Sequence, residues 1–385
     1  MYLQQPINVC LIARATLYST PGGDTIQIRQ TALHLQLKGI TADVKLTNEH
    51  IDYQSYDLLH FFNITRPADI LYHIRHAKIP FVVSPIFVDY TTFDKTQRQG
   101  ISGFICRLLT GNQNEYLKTV LRWIKGKDKL VSIEYLWQGQ TRAIRQIMQK
   151  ASMLLPNSAS EYERLYHVSR QQVIHEVIPN GINENDFTPD VTIERDPLLV
   201  ICAARIEGIK NQLTLIKALN NTRYKLVLIG ATAPNQSSYY ATCRKVAASN
   251  VQFIDHLPQE ALREYYNRAA IHILPSWFET TGLSSLEAAV MGCKIIVTAK
   301  GDTMDYFEDL ATYCDPASPA SILAAVDKTA AMPYSSAMRN KILSSYTWQQ
   351  ATEATLHAYE QVIPCYESTH RHTRHPWHTQ SLRRI

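Results

Sequence analysis

The chain has 385 residues, 45% of them hydrophobic and 19% charged, with a formal net charge of +5. That length exceeds one ordinary domain and suits two, and the composition is that of a globular protein rather than a fibrous or largely disordered one. The positive balance is too small to imply nucleic acid; it fits a protein that handles anionic nucleotides or rests against an anionic membrane. The seven cysteines, at 10, 106, 202, 243, 293, 314 and 365, are scattered and form no C-x-x-C pair. They read as reduced thiols in the cytoplasm, not a disulfide frame. Met1 to Ala15 lacks the basic start of a signal peptide, and no apolar run approaches the length of a membrane span. Any membrane contact is therefore expected to be peripheral.

In chain order, Ile7 to Ala13 reads as a strand, Pro21-Gly22-Gly23 as a turn, and Asp24 as the cap of a helix running to Lys38 and stopped by Gly39. Further strands are expected at Leu58–Phe62, Phe81–Ser84, Lys129–Ser132 and Ser152–Pro156, with polar helix or loop over 90–128. Ile178 to Ile182 reads as a turn and 188–197 as a linker. Strands at Leu198–Ala203, Lys225–Ile229, Val251–Ile254, Ile271–Leu274 and Lys294–Thr298 then alternate with helices at Asn211–Leu219, Glu260–Asn267 and Ser285–Met291. This alternation predicts an α/β chain of doubly wound, Rossmann-like domains with parallel sheets. A last helix spans Thr347 to Val362, and the tail from Pro364 to Ile385 has too few apolar residues to build a core and reads as disordered.

Open α/β sheets bind ligands beyond the carboxyl ends of their strands, and three segments put unusual residues there. Arg205 and Lys210 follow a buried strand just ahead of a helix, where cations and free backbone N–H groups suit a diphosphate. Each also reads as an ordinary solvated loop residue. Glu279 follows the strand Ile271–Leu274, and Gly282 admits a close backbone approach before a helix N-terminus. Glu279 and Glu287 are acceptors suited to the hydroxyls of a sugar and a ribose diol. Ser284-x-x-Glu287 is equally a capping box, which needs no ligand. Gly22-Gly23 permits a backbone approach to phosphate or sugar, or is merely a turn.

Taken together, Glu279-x7-Glu287 within F-E-T-T-G-L-S-S-L-E-A-A-V-M-G resembles the E-x7-E signature of retaining GT-B glycosyltransferases of family 4, the glycosyl transferases group 1. Arg205-x4-Lys210, Leu155-Pro156-Asn157-Ser158, Ile178-Pro179-Asn180-Gly181-Ile182 with Phe187, and Tyr346-Thr347-Trp348 resemble further segments of that family. The resemblance implies two Rossmann-like domains facing a cleft: residues 1–190 on the acceptor side, 191–345 on the donor side, and 346–363 as a helix crossing back to the first domain. It implies that Arg205 and Lys210 neutralise the diphosphate of a nucleotide-sugar donor and that Glu279 holds the sugar. Glu287 would hold the ribose, the amides of Thr281, Gly282 and Leu283 would cradle phosphate, and Gly22-Gly23 would close over the donor. No D-x-D motif occurs, so the expected transfer uses neither metal nor cofactor.

The acceptor implied by the resemblance is a saccharide or lipid-linked saccharide of the cell envelope. Many relatives place a histidine after an N-domain strand. The comparable segment, Val83 to Tyr90, has none, which leaves Asp89 or His60 as acceptor-side candidates. The alternatives are a homologue that binds a nucleotide sugar without turnover, another GT-B chemistry such as a phosphorylase or epimerase, and a metal role for His370, His372, His375 and His378. The arginines of the same tail are candidates for contact with anionic lipid.

Overall fold

The computed structural model describes residues 7–97, 109–124 and 132–363. Most of the expected strand Lys129–Ser132, and the whole tail with its four histidines, lie outside the described residues. Ser132 itself belongs to a turn, its carbonyl accepting the Tyr135 amide at the start of the helix Glu134–Lys150.

Five parallel strands form the first sheet: β1 (Asn8–Ala13), β2 (Thr41–Leu46), β3 (Leu58–Phe62), β4 (Phe81–Ser84) and β5 (Met153–Leu154), in the order β2-β1-β3-β4-β5. After Asn8, β1 is apolar because both its faces are covered. Val9, Leu11 and Ala13 enter one core and Cys10 and Ile12 the other, following the two-residue period of a strand. The second sheet is also parallel and contains β6 (Asp196–Ala203), β7 (Lys225–Ile229), β8 (Val251–Ile254), β9 (Ala269–Leu274), β10 (Lys294–Thr298) and β11 (Thr312–Cys314). Its order is β11-β10-β9-β6-β7-β8, so the winding reverses between β6 and β9. A crevice opens at such a reversal, outside the carboxyl ends of the two strands. The loops that follow β6 and β9 carry Arg205, Lys210 and Glu279.

The two sheets are joined by a pair of crossing segments. Ile182 donates to Tyr346 O at 2.9 Å and accepts from Trp348 N at 3.0 Å. The segments run so close that a Cβ on Gly181 would lie 2.3 Å from the Thr347 carbonyl carbon, which explains the glycine in Pro179-Asn180-Gly181. Thr347 and Gln350 then form a capping box on the helix Trp348–Val362. That helix buries Trp348, Ala351, Ala358 and Tyr359 in the first sheet's core, beside Val9, Leu11 and Leu35. Each large side chain so buried contributes about 2 kcal/mol, which holds the C-terminal segment on the first sheet. Among the described residues no helix is long and apolar enough to cross a membrane.

Asp24 does not occupy the cap position expected of it. The helix Gly23–Leu37 starts from Gly22, and the Asp24 carboxylate is taken by Arg14, whose Nε lies 2.6 Å from Oδ2. Arg14 also donates to Thr16 and Thr20, so one guanidinium fastens the whole 14–24 loop.

Candidate active site

The cleft between the sheets has a volume of about 1590 Å³. On its donor-side wall, the turn Gly208–Lys210 is bound to the loop after β9 because Trp277 N donates to Ile209 O at 2.8 Å. Asn211 fixes the same corner. Its left-handed backbone (φ 62°) suits asparagine, and its side-chain amide donates to Pro275 O and Pro316 O. Lys210 is thereby delivered to Glu279, with Nζ 2.6 Å from Oε2. Ser276 Oγ donates to the same carboxylate oxygen at 3.0 Å. Glu279 is 7% exposed, and Oε1 has no protein hydrogen-bond donor among the described residues.

The backbone of Glu279 is held just as firmly. Its amide donates to Lys300 O at 3.0 Å, and its carbonyl accepts from Asp302 N at 2.8 Å. The helix Leu283–Val290 starts immediately after Gly282, whose carbonyl accepts from Ser285 N at 2.7 Å. The amides of Leu283 and Ser284, ahead of that bond, have no intrahelical partner, and both residues line the cleft. Thr281 turns its side chain away from this space, accepting from Asn180 Nδ2 at 3.0 Å and donating to Tyr306 Oη at 3.3 Å. Only its backbone is free to serve a ligand. Tyr306 in turn donates to Asn157 O and accepts from Asn180 N, so this phenol ties the loop after β9 to the crossing segment at Asn180 and to the first sheet's loop after β5.

Arg205 stands opposite the first sheet's glycine loop. Its Nη1 reaches Pro21 O at 3.3 Å and its Nη2 reaches Glu207 at 3.0 Å. A Cβ on Gly22 would lie 3.9 Å from Arg205 Nη2. Gly22, Gly23, Arg205, Lys210, Glu279, Thr281, Gly282, Leu283 and Glu287 all line the one cleft.

The capping reading of Glu287 does not hold, because the helix starts at Gly282 with no side-chain cap. Its carboxylate instead accepts from Tyr266 Oη at 3.2 Å. Enclosed by protein except towards the cleft, Glu287 is pushed up to about 7 by desolvation, against which the Tyr266 hydroxyl gives a smaller opposing effect. A carboxyl group raised in this way binds more protons folded than unfolded, so it lowers stability as pH rises from 4.5 through about 7. Buried Glu161, also raised to about 7 by desolvation, acts in the same window. Glu287→Gln is expected to match the parent protein's stability below pH 4.5 and exceed it by on the order of 1 kcal/mol above pH 7. Thermal unfolding across that range without nucleotide checks this.

Two acceptor-side candidates are not brought into the cleft. His60 is 2% exposed, and both ring nitrogens are engaged, with Tyr359 Oη at 2.7 Å and Ser84 Oγ at 2.8 Å. Desolvation pushes it down to about 3, so it is a neutral core residue. Asp89 is exposed and accepts from Thr91 N at 2.8 Å, at the start of the helix Thr91–Gln97. Neither lines the cleft. The first-sheet wall is supplied by Gln27, Arg29, Gln30, Asn63 and Thr65, with Asn157 below. Sequence reasoning passed over the first five of these residues and gave Asn157 no role, although Asn63 follows β3 as Arg205 follows β6, a position that marks ligand loops. It also gave Ser276 and Asn180 no role of their own and missed Tyr306.

Comparison with known proteins adds the family context. Residues 183–343 match the family described as glycosyl transferases group 1. The chain is 26% identical over 245 residues to a D-inositol 3-phosphate glycosyltransferase of Geodermatophilus obscurus, covering 56% of this chain and 53% of that protein. It is 27% identical over 163 residues to a probable sucrose-phosphate synthase of Thermosipho melanesiensis, covering 40% and 38%. The chain thus spans about half, or less, of the length of these curated relatives. Among solved structures, the sucrose-phosphate synthase of Thermosynechococcus elongatus superposes with a TM-score of 0.70 at 15% identity, over 92% of this chain and 98% of that one. Anabaena HepE, in complex with UDP and glucose, superposes with a TM-score of 0.65 at 12% identity, over 92% and 99%. The chain has the GT-B fold, and the part of it that carries the second sheet is similar to glycosyl transferases group 1.

Proposed function

We propose that the protein transfers a hexosyl-type sugar from a nucleoside diphosphate sugar to a hydroxyl of a saccharide or lipid-linked saccharide, with retention and without a metal. The observation that carries this reading is the Lys210–Glu279 pair at the reversal of the second sheet, facing Arg205 and the glycine loop. As the anomeric C–O bond breaks, its electron pair passes to the diphosphate, whose negative charge grows. Fixed cations and helix amides stabilise that growth in the transition state more than in the ground state. The acceptor oxygen forms the new bond on the same face, and its proton passes to the departing phosphate oxygen. In this reading Glu279 holds sugar hydroxyls and Glu287 the ribose diol. The cleft volume exceeds the ~300–1,000 Å³ of a usual single-ligand pocket, which leaves room for an acceptor. HepE, with its bound UDP and glucose, supports the donor class.

Thermal unfolding with UDP-, GDP- and ADP-sugars tests the donor. One nucleotide series is expected to stabilise the protein by about 2.7 kcal/mol at a hundredfold excess over its Kd, and the same donor is then slowly hydrolysed without acceptor. No stabilisation by any of them contradicts the reading. Stabilisation without turnover, in the presence of a panel of acceptors, favours a binding homologue.

A further inference from the structure

The helix Gly23–Leu37 buries Thr25, Gln27, Ile28, Ala32 and Leu35 against its own sheet. Its opposite face would ordinarily be polar. Instead Ile26, Leu33 and Leu37, spaced i, i+7, i+11 and so aligned along one stripe, are 44%, 48% and 73% exposed. Ile26 and Leu33 line the cleft. Leu37 lines an adjoining cavity of about 320 Å³, which shares the wall residues Ile182 and Asn183 with the cleft. At 1.5 Å per residue the stripe runs roughly 16 Å. Three aliphatic side chains offer nothing to sugar hydroxyls, so this wall suits an apolar ligand. Exposed Arg29 flanks the stripe between Ile26 and Leu33, and it has no hydrogen-bond or ion-pair partner among the described residues. Lys38, farther along, is already paired with Glu353 at 3.3 Å.

We infer that the acceptor is an amphiphile whose aliphatic chain lies along Ile26, Leu33 and Leu37, with an anionic head beside Arg29. This rests on the donor reading above, since it assigns the remaining wall of the same cleft. The apolar stripe supplies affinity that grows with chain length, and Arg29, alongside it between Ile26 and Leu33, selects for negative charge. The substrate class is thus a lipid-like acceptor, not a free soluble saccharide.

The test is calorimetric titration of the full chain, saturated with UDP, with methyl, octyl and dodecyl phosphate below their micelle concentrations, and with the matching neutral alkyl glucosides. Affinity is expected to rise by up to about fourfold per methylene that reaches the stripe. Ile26→Ser combined with Leu33→Ser, both surface changes, is expected to flatten that rise. Arg29→Gln is expected to weaken the phosphates about tenfold and leave the glucosides unchanged. Equal affinity for methyl and octyl phosphate overturns the inference, as does a chain-length dependence that survives in the double variant. Self-association of the parent that the double variant abolishes, without alkyl phosphate binding, makes the stripe a subunit contact and also overturns it. UDP binding is read first in every sample: if it is intact, a negative result counts against this inference alone, whereas its absence removes the donor reading as well.

Discussion

Lys210→Ala is expected to lower kcat/KM for sugar transfer by about 10³-fold, the cost of removing a preorganised charge aimed at a developing anion. The lysine is pinned before any ligand arrives, because the turn that carries it is hydrogen-bonded to the loop of Glu279. No reorganisation is then needed when the diphosphate leaves. The same substitution strips the counterion from a carboxylate that is only 7% exposed. Removing one partner of a buried pair is destabilising by several kcal/mol when enclosure is complete. Here the Lys210 side chain keeps 20% of its exposure, so about 1–2 kcal/mol is expected. Arg205→Ala serves as the contrast. Its side chain is 42% exposed and already shares its charge with Glu207, so about a tenfold loss of activity is expected, with little change in stability. Steady-state kinetics and urea unfolding of the two variants, side by side, separate these effects.

Gly301→Ala is expected to destabilise the protein by about 3 kcal/mol and to abolish detectable nucleotide binding. Gly301 has φ +102°, a conformation that side-chain-bearing residues rarely adopt. A Cβ there would lie 2.0 Å from Glu279 O and 2.9 Å from both Glu279 N and C. All three contacts are backbone, so no side chain can move aside. The loop after β9 would have to leave its bridge to Gly301 and carry Glu279 away from Lys210. Urea unfolding and nucleotide titration of the variant check both parts. A folded variant with unchanged nucleotide affinity contradicts this account of how Glu279 is held.

Most strands of the second sheet were legible in the sequence because they are short, largely apolar runs separated by turn residues. Lys225–Ile229, Val251–Ile254 and Lys294–Thr298 fall where the sequence places them. β2 escaped notice because Thr41–Leu46 is an edge strand with alternating polarity and only one fully buried position. The helices Pro67–His76, Ser237–Val246 and Pro319–Ala331 were also passed over, since short amphipathic segments are defined by what they pack against more than by propensity. Of the site, the charged residues after strand ends were legible because position in an α/β sheet predicts exposure to the crevice. His60 and Asp89 show the limit of that rule: one points into the core beside Tyr359, the other back onto its own helix. Nor does a linear sequence reveal that Tyr306 reaches Asn157, Asn180 and Thr281, or that Gly301 abuts Glu279. Those contacts exist only once the loops after separate strands are brought together.

A crystal structure of the protein with UDP tests most directly the claim that the groups around Lys210 bind a nucleotide diphosphate. Both phosphates are expected within hydrogen-bonding distance of Lys210 Nζ, the Arg205 guanidinium or the amides of 281–283, with the ribose hydroxyls on Glu287. A nucleotide seated elsewhere, with the Lys210–Glu279 pair unchanged and solvent between it and any phosphate, would contradict it.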